Sequence, residues 1–325
     1  MLDVFNQDPF SFIQLTDEIS RFDYQAGAVD SLIDWQDRGV LSTTVAVEEV
    51  VANVEVIHSS LRCGPRQGMQ DRVRNLRSLQ IPHFAMRKII TPCEVQGQSG
   101  DFGQSLKNAQ SIVSQKLEQM SWNLDATLTS LRLSALTGVV KDADGNTLVD
   151  LATELGVTMP ADVGFNFTTL DAASFRTALN QVVQARASDL IGVNPRNWLI
   201  IAGNDWFNKA GELQDGSNGM FFTDELCAFG SMRFGCYRIV NDSTYIGGTA
   251  AIAADEAYMV PVGIPGMFQT YYATADYWSS VNEVGRPRYA RLFTDPEDRF
   301  VTIESQTNAL PMIARPEAIT KLLDV

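Results

Sequence analysis

Catalysis needs a nucleophile, a base or a set of metal donors, and this chain offers few of any. It contains two histidines, His58 and His83, and four cysteines, Cys63, Cys93, Cys227 and Cys236. His58 stands beside Ser59 and Ser60, the residue types of a hydrolase pair. A base acts only when a third group orients it in space, which adjacency in sequence does not supply. His83 follows Pro82 in an apolar stretch, and Cys93 has no cation nearer than Lys88 to favour its thiolate. The cysteines form no C-x-x-C pair and are too sparse for a disulfide framework, so they read as reduced thiols. Asp142, Asp144 and Asn146 have the spacing of metal ligands. A calcium loop starting at Asp142 would need glycine and glutamate where Thr147 and Thr153 stand, so the run reads as the type I′ turn of a hairpin. There is no Walker-type loop and no G-x-G-x-x-G. Trp35, Trp122, Trp198, Trp206 and Trp278 are scattered, as packing residues are, and form no stacking platform. The expectation is a protein without catalytic residues, metal or cofactor.

Charge is more informative. The chain has 325 residues and a net charge of −14, which argues against a general nucleic-acid binder, because phosphate neutralisation needs cationic surface. Yet residues 61–90 hold Arg62, Arg66, Arg72, Arg74, Arg77, Arg87 and Lys88 against Asp71, a net +6 that leaves −20 elsewhere. Such a patch could touch nucleic acid, or an acidic surface on another copy of the same chain. The arginines lack interleaved aromatics, which weakens the first reading. The opening residues have no basic and apolar leader pattern, and no apolar run approaches 18 residues. The expectation is a soluble product of the cytoplasm.

The elements that would carry these residues follow from periodicity. Residues 1–40 show only short apolar clusters, as an extended arm packed on something else would. Residues 40–62 and 79–97 read as the strands of a long hairpin, with the polar stretch 63–78 as its cationic tip. From about Gln104 to Gly138, apolar residues recur at steps of three and four without a proline, predicting a helix of about 45–50 Å. A short hairpin over 139–151 follows. Later come a strand at 163–167, a helix over 171–190 capped by Asp171, and a buried-type strand at 198–203. A glycine-containing loop near 211–219 then leads to strands near 234–242, 258–262, 268–272, 290–294 and 299–313. Helices and strands mix without a regular βαβ rhythm, so the fold class is α+β.

That order, together with three stretches, is similar to the major capsid proteins of tailed bacteriophages, the capsid protein E family with the Hong Kong 97-type fold. The stretches are LRLSALTGVVKDADGNTLVDL, AYMVPVGIPGMFQTYYATADYWSSVNEVGRPRYARL and ESQTNALPMIARPEAITKLLDV, the last read as a strand leading to Leu-Pro and an R-P-x-A helix start. The resemblance implies an N-terminal arm (1–40) lying across a neighbouring subunit and an extended loop (41–97). It further implies a peripheral domain with a spine helix (98–164), an axial domain (165–288) and a return to the peripheral domain (289–325). It implies a structural protein that self-assembles into hexamers and pentamers of an icosahedral shell around double-stranded DNA, without sequence-specific contact. The portal protein, scaffolding and decoration proteins would be its other partners, the virion its place, and the host cytoplasm the site of assembly. Arg62, Arg66, Arg72, Arg74 and Arg77 of the extended loop would make the inter-subunit contact. The alternatives are an encapsulin-like nanocompartment shell protein and a soluble hydrolase using His58 or Cys93.

Overall fold

The computed structural model describes residues 10–22, 27–50, 74–96, 105–187, 189–190, 195–215, 230–234, 237–246, 249–297 and 299–325. Its first elements are α1 (Phe12–Ile19), α2 (Ala28–Leu32), β1 (Gln36–Gly39), β2 (Thr44–Val50), β3 (Arg74–Gln80), β4 (Phe84–Ile90) and α3 (Pro92–Gln96). The spine helix α4 (Ser105–Leu136) is followed by β5 (Val139–Lys141), β6 (Thr147–Asp150), α5 (Leu151–Leu155) and β7 (Val163–Phe165). Then come α6 (Ala172–Ala187), β8 (Asn197–Ala202), α7 (Asn204–Asp215), β9 (Ser231–Phe234) and β10 (Tyr237–Asn241). The chain finishes with β11 (Tyr245–Ile246), β12 (Thr249–Ala250), β13 (Glu256–Val262), β14 (Phe268–Tyr272), β15 (Tyr289–Thr294), β16 (Val301–Thr307), β17 (Ala309–Ile313) and β18 (Thr320–Asp324).

The 32 residues of α4 span about 48 Å. One end of its apolar stripe, Ala109, Ile112, Val113, Leu117, Met120 and Leu124, is buried against Leu15 and Ile19 of α1 and against Ile90, Ala290, Val301 and Ile303. The last four belong to the antiparallel sheet β15-β16-β4. At the other end, Leu131, Ala135 and Leu136 join the core that includes α2, β5 and β17. Gly138, at φ +82, reverses the chain there, a conformation that disfavours a side chain. Its carbonyl accepts the Leu151 N–H at 2.8 Å, which ties the helix end to α5.

The second core lies on the six-stranded sheet β7-β18-β13-β8-β10-β9. Ile200, Ala202, Ile239, Ala257 and Met259 face Phe175, Leu179 and Trp206 of α6 and α7, while Leu199, Ile201, Val240 and Val260 face the first core. Burial on both faces is why WLIIA reads as a continuous apolar run and shows no alternation. Asp171 caps α6, accepting the Ser174 N–H at 3.1 Å.

The structure corrects several expectations. Residues 10–22 and 27–40 are not an extended arm: α1 and α2 pack on the chain's own spine helix, and β1 pairs in parallel with β14. The strand opposite β2 is β3, which begins within the stretch read as a polar tip and takes in only Leu79 and Gln80 of the expected return strand, while β4 pairs with β16 and 92–96 is a short helix. Pro82, lacking an N–H, lies in the break that lets β3 and β4 join different sheets. The turn at 142–146 is a five-residue connection with only Gly145 at positive φ, whereas a type I′ turn needs two such residues. Asp142 holds it, accepting the Asn146 side-chain amide at 3.2 Å and the N–H groups of Asp144 and Asn146, both at 2.9 Å; the side-chain bond first and the backbone bonds after it keep its carboxyl below the usual range. Gly211 lies inside α7 and opens no loop, because Trp206 and Ala210 give that helix a buried face. The strand expected over 299–313 divides into β16 and β17. Pro316 opens a single 3-10 turn, and β18 then pairs with β13 and β7. The last strand therefore returns to the six-stranded sheet rather than to the spine-helix sheet.

Candidate functional site

Among the residues expected to make the inter-subunit contact, Arg62, Arg66 and Arg72 lie outside the described residues, as do His58, Cys63, Cys227 and Cys236. Arg74 opens β3, and Arg77 stands three residues further along it, in register with Val47 of β2. The Arg77 guanidinium donates to the Thr153 carbonyl of α5 at 3.2 Å, which fixes the base of the hairpin to the body of its own chain. His83 is held by polar side chains: its Nδ1 lies 2.7 Å from Asn308 Oδ1 and 3.6 Å from Asp276 Oδ2. Cys93 is exposed and unpaired. Among the described residues no three His, Cys, Asp or Glu side chains gather to hold a metal ion.

What the structure does assemble is a buried charge cluster where the N-terminal segment meets the spine helix. It lines a cavity of about 380 Å³ bounded by Ser20, Asp30, Asp37, Asp125, Thr129 and Arg132, among others. From α4, Arg132 donates to Asp30 at 2.8 Å and to Thr270 at 2.9 Å, with Asp37 at 3.4 Å. Its guanidinium also sits 5.0 Å above the Trp35 ring. The Thr129 hydroxyl donates to Asp30. On the other side, Arg288 pairs with Asp125 at 2.7 Å and donates to Ser121 at 2.9 Å. The same guanidinium donates to the carbonyls of Ile19 at 2.9 Å and Phe22 at 3.1 Å. These lie at and just beyond the end of α1, where carbonyls have no helical partner and the dipole is negative.

The electrostatics are not fully balanced. Burial pushes the Asp125 carboxyl up to about 6, outweighing the attraction of Arg288, with Asp30 adding repulsion. Its second oxygen is buried without a hydrogen-bond partner. Burial likewise raises Asp37 against the pull of Arg132, and raises Tyr272, whose hydroxyl donates to Asp37 at 3.3 Å. Nothing here resembles a nucleophile activated by a base. The arrangement is a clamp: two arginines grip two acids and two carbonyls of the N-terminal segment across the middle of a long helix. Sequence reading missed it. The available signal was the spacing Asp125, Thr129, Arg132, steps of four and three that put polar groups on the face of an apolar stripe.

The described elements are a long helix, a small antiparallel sheet packed on it, the β2-β3 pair and a second, mixed sheet. The family model for phage major capsid protein E matches residues 11–323. The chain belongs to that family. The major capsid protein of Pseudomonas phage KPP10 is 23% identical over 346 residues, covering 97% of each chain. The putative capsid protein of an Escherichia coli CFT073 prophage superposes with a TM-score of 0.63 at 11% identity, over 97% of this chain and 99% of that one. The capsid of Myoviridae phage XM1 gives 0.53 at 12% identity, over 94% of both. The fold is therefore of the Hong Kong 97 type, α+β, and the chain is a major capsid protein of a tailed phage, a virion component that associates with copies of itself. No described helix of this capsid protein is long and apolar enough to cross a membrane.

Proposed function

We propose that copies of this capsid protein form the hexamers and pentamers of an icosahedral shell, assembled in the host cytoplasm around double-stranded DNA, with no catalytic step of its own. The observation that carries this reading is the family match across 11–323, and it favours a phage shell over an encapsulin-like compartment. Residues 1–40 serve as an N-terminal segment whose α1 and α2 dock on the chain's own spine helix, and 41–97, 98–164, 165–288 and 289–325 serve as extended loop, peripheral domain, axial domain and peripheral return, with β18 completing the axial sheet. The cationic stretch supports a charge-guided contact: Arg62, Arg66, Arg72, Arg74 and Arg77 dock on acidic surface of an adjacent copy. Arg77 anchors the base of that loop through Thr153. The overall charge of −14 supports a wall along which packed DNA slides without sticking. The portal, scaffolding and decoration proteins complete the partners.

The test is to reverse the five arginines to glutamate and image the products by electron microscopy. Capsomers or shells should be lost or become salt-sensitive; shells of ordinary yield and salt tolerance overturn the loop's role. Tight, salt-sensitive DNA binding by the isolated subunit would contradict the sliding wall.

A further inference from the structure

The segment joining β14 to β15 presents apolar side chains to water from a firmly held backbone. Residues 278–280 form a 3-10 turn, and the Glu283 N–H donates to the Ser280 carbonyl at 3.1 Å, continuing the three-residue spacing. Side chains three apart in such a turn fall on one side. That spacing ends at Val281, whose backbone is extended, and Asn282 turns left-handed at φ +66; Trp278, Val281 and Val284 are nonetheless all exposed, at 93%, 55% and 58%, and give the segment an apolar ridge. Tyr277 and Ser280 point the other way and are buried. The Ser280 hydroxyl sits 2.7 Å from the Ala275 carbonyl and 2.9 Å from that of Tyr277. The Gly285 N–H donates to Val40 at 3.0 Å, and the Arg286 N–H to the Tyr289 hydroxyl at 2.8 Å. Of the exposed charges flanking the ridge, Asp276 and Glu283 are acidic, while Arg286 is paired with Asp17 at 3.3 Å.

A complementary surface lies on the same chain. One face of the β15-β16-β4 sheet packs on α4 and α1, and the other end of its second face remains open. On that face Ile89 and Phe293 flank Thr302 in register, exposed at 46% and 38%. Two residues along, Arg87 and Arg291 flank Glu304. One carboxylate between two guanidiniums leaves the face cationic, and Arg291 lies over the rings of Tyr277 and Phe293 at 5.3 and 5.0 Å. An apolar ridge with an acidic rim thus stands beside an apolar face with a cationic rim, joined through Tyr277.

We propose that the ridge of Trp278, Val281 and Val284 docks on the open face of the β15-β16-β4 sheet of a second copy of this chain, with Asp276 and Glu283 set against its Arg87 and Arg291. The occupant is a second copy because charge complements charge between the two surfaces, and because each copy carries both halves, the condition for self-complementary contact. Together the two patches offer on the order of 500 Å² of apolar surface, as much as a monomer usually leaves uncovered. Shared between two partners this falls well below the roughly 800 Å² per partner of a stable isolated interface, so the contact acts as one of several that symmetry repeats. The inference rests on the shell-forming reading and names a contact separate from the arginine loop.

The experiment uses the full chain and compares assembly by sedimentation and electron microscopy, with circular dichroism as the folding control. Trp278→Ser combined with Val281→Asn should leave the fold and its melting unchanged and raise the protein concentration needed for assembly at least tenfold. Glu283→Arg and Arg87→Glu should each weaken assembly, and together should restore it towards wild type. Ridge variants assembling at the wild-type threshold, or charge variants whose defects simply add, overturn the docking while leaving the capsid reading intact. A wild-type chain that stays monomeric under all conditions overturns both.

Discussion

Arg288 makes four interactions, two to carbonyls near the end of α1 and two to side chains of the spine helix. Replacing it with methionine keeps much of its volume but strands the Asp125 charge and both carbonyls. The expected loss is about 3–5 kcal/mol by urea unfolding. Asp125 itself gives a signed pH effect. Its carboxyl is raised from 3.8 to about 6 in the fold, so between these values the native state holds a proton that the unfolded chain has released. Its contribution to stability is present below about pH 4 and is lost as the pH rises through about 6. Asp125→Asn removes that dependence. The stability of the variant relative to wild type should rise by about 1–3 kcal/mol between pH 4 and pH 7.5, read from denaturant midpoints at the two pH values. A constant difference would show that Asp125 does not titrate in this window.

At the scale of elements, the spine helix depends on side chains that touch two layers at once. Leu117 is fully buried among α1, α4 and the β15-β16-β4 sheet. Leu117→Ala should cost about 2–5 kcal/mol, measured by chemical denaturation. Gly285 tests the junction between the hairpin base and the ridge loop: a Cβ there would fall 1.9 Å from the Tyr272 carbonyl oxygen, a backbone atom with no room to move. Gly285→Ala should lower the melting temperature by several degrees. The sequence made the spine helix, α6 and β8 legible because each has one unbroken period. The chain opposite β2 was not legible, since RNLRSLQ is polar and arginine-rich and only its pairing with β2 makes it a strand. The end of the chain misled because Arg-Pro with a following alanine is a local helix signal, whereas the edges of β13 and β7 offered hydrogen bonds to a strand.

For the whole molecule, a net −14 makes copies repel unless local patches reverse the sign. Assembly guided by cationic patches should therefore weaken as sodium chloride rises through a few hundred millimolar, where the screening length falls to several ångströms. Light scattering across a salt series checks this, and an assembly threshold independent of salt would exclude charge guidance. What the sequence determined alone is what depends on neighbours along the chain: the long helix, the α+β mixture, the charge segregation and the family-like stretches. What only the tertiary structure decided is what depends on residues far apart. The clamp joins Asp30 to Arg132 and Asp125 to Arg288, and it ties α1 and α2 to the spine helix of their own chain. Such contacts are fixed by desolvation and geometry after the elements have packed; the spacing of Asp125, Thr129 and Arg132 marks one polar face of the helix but does not name its partners.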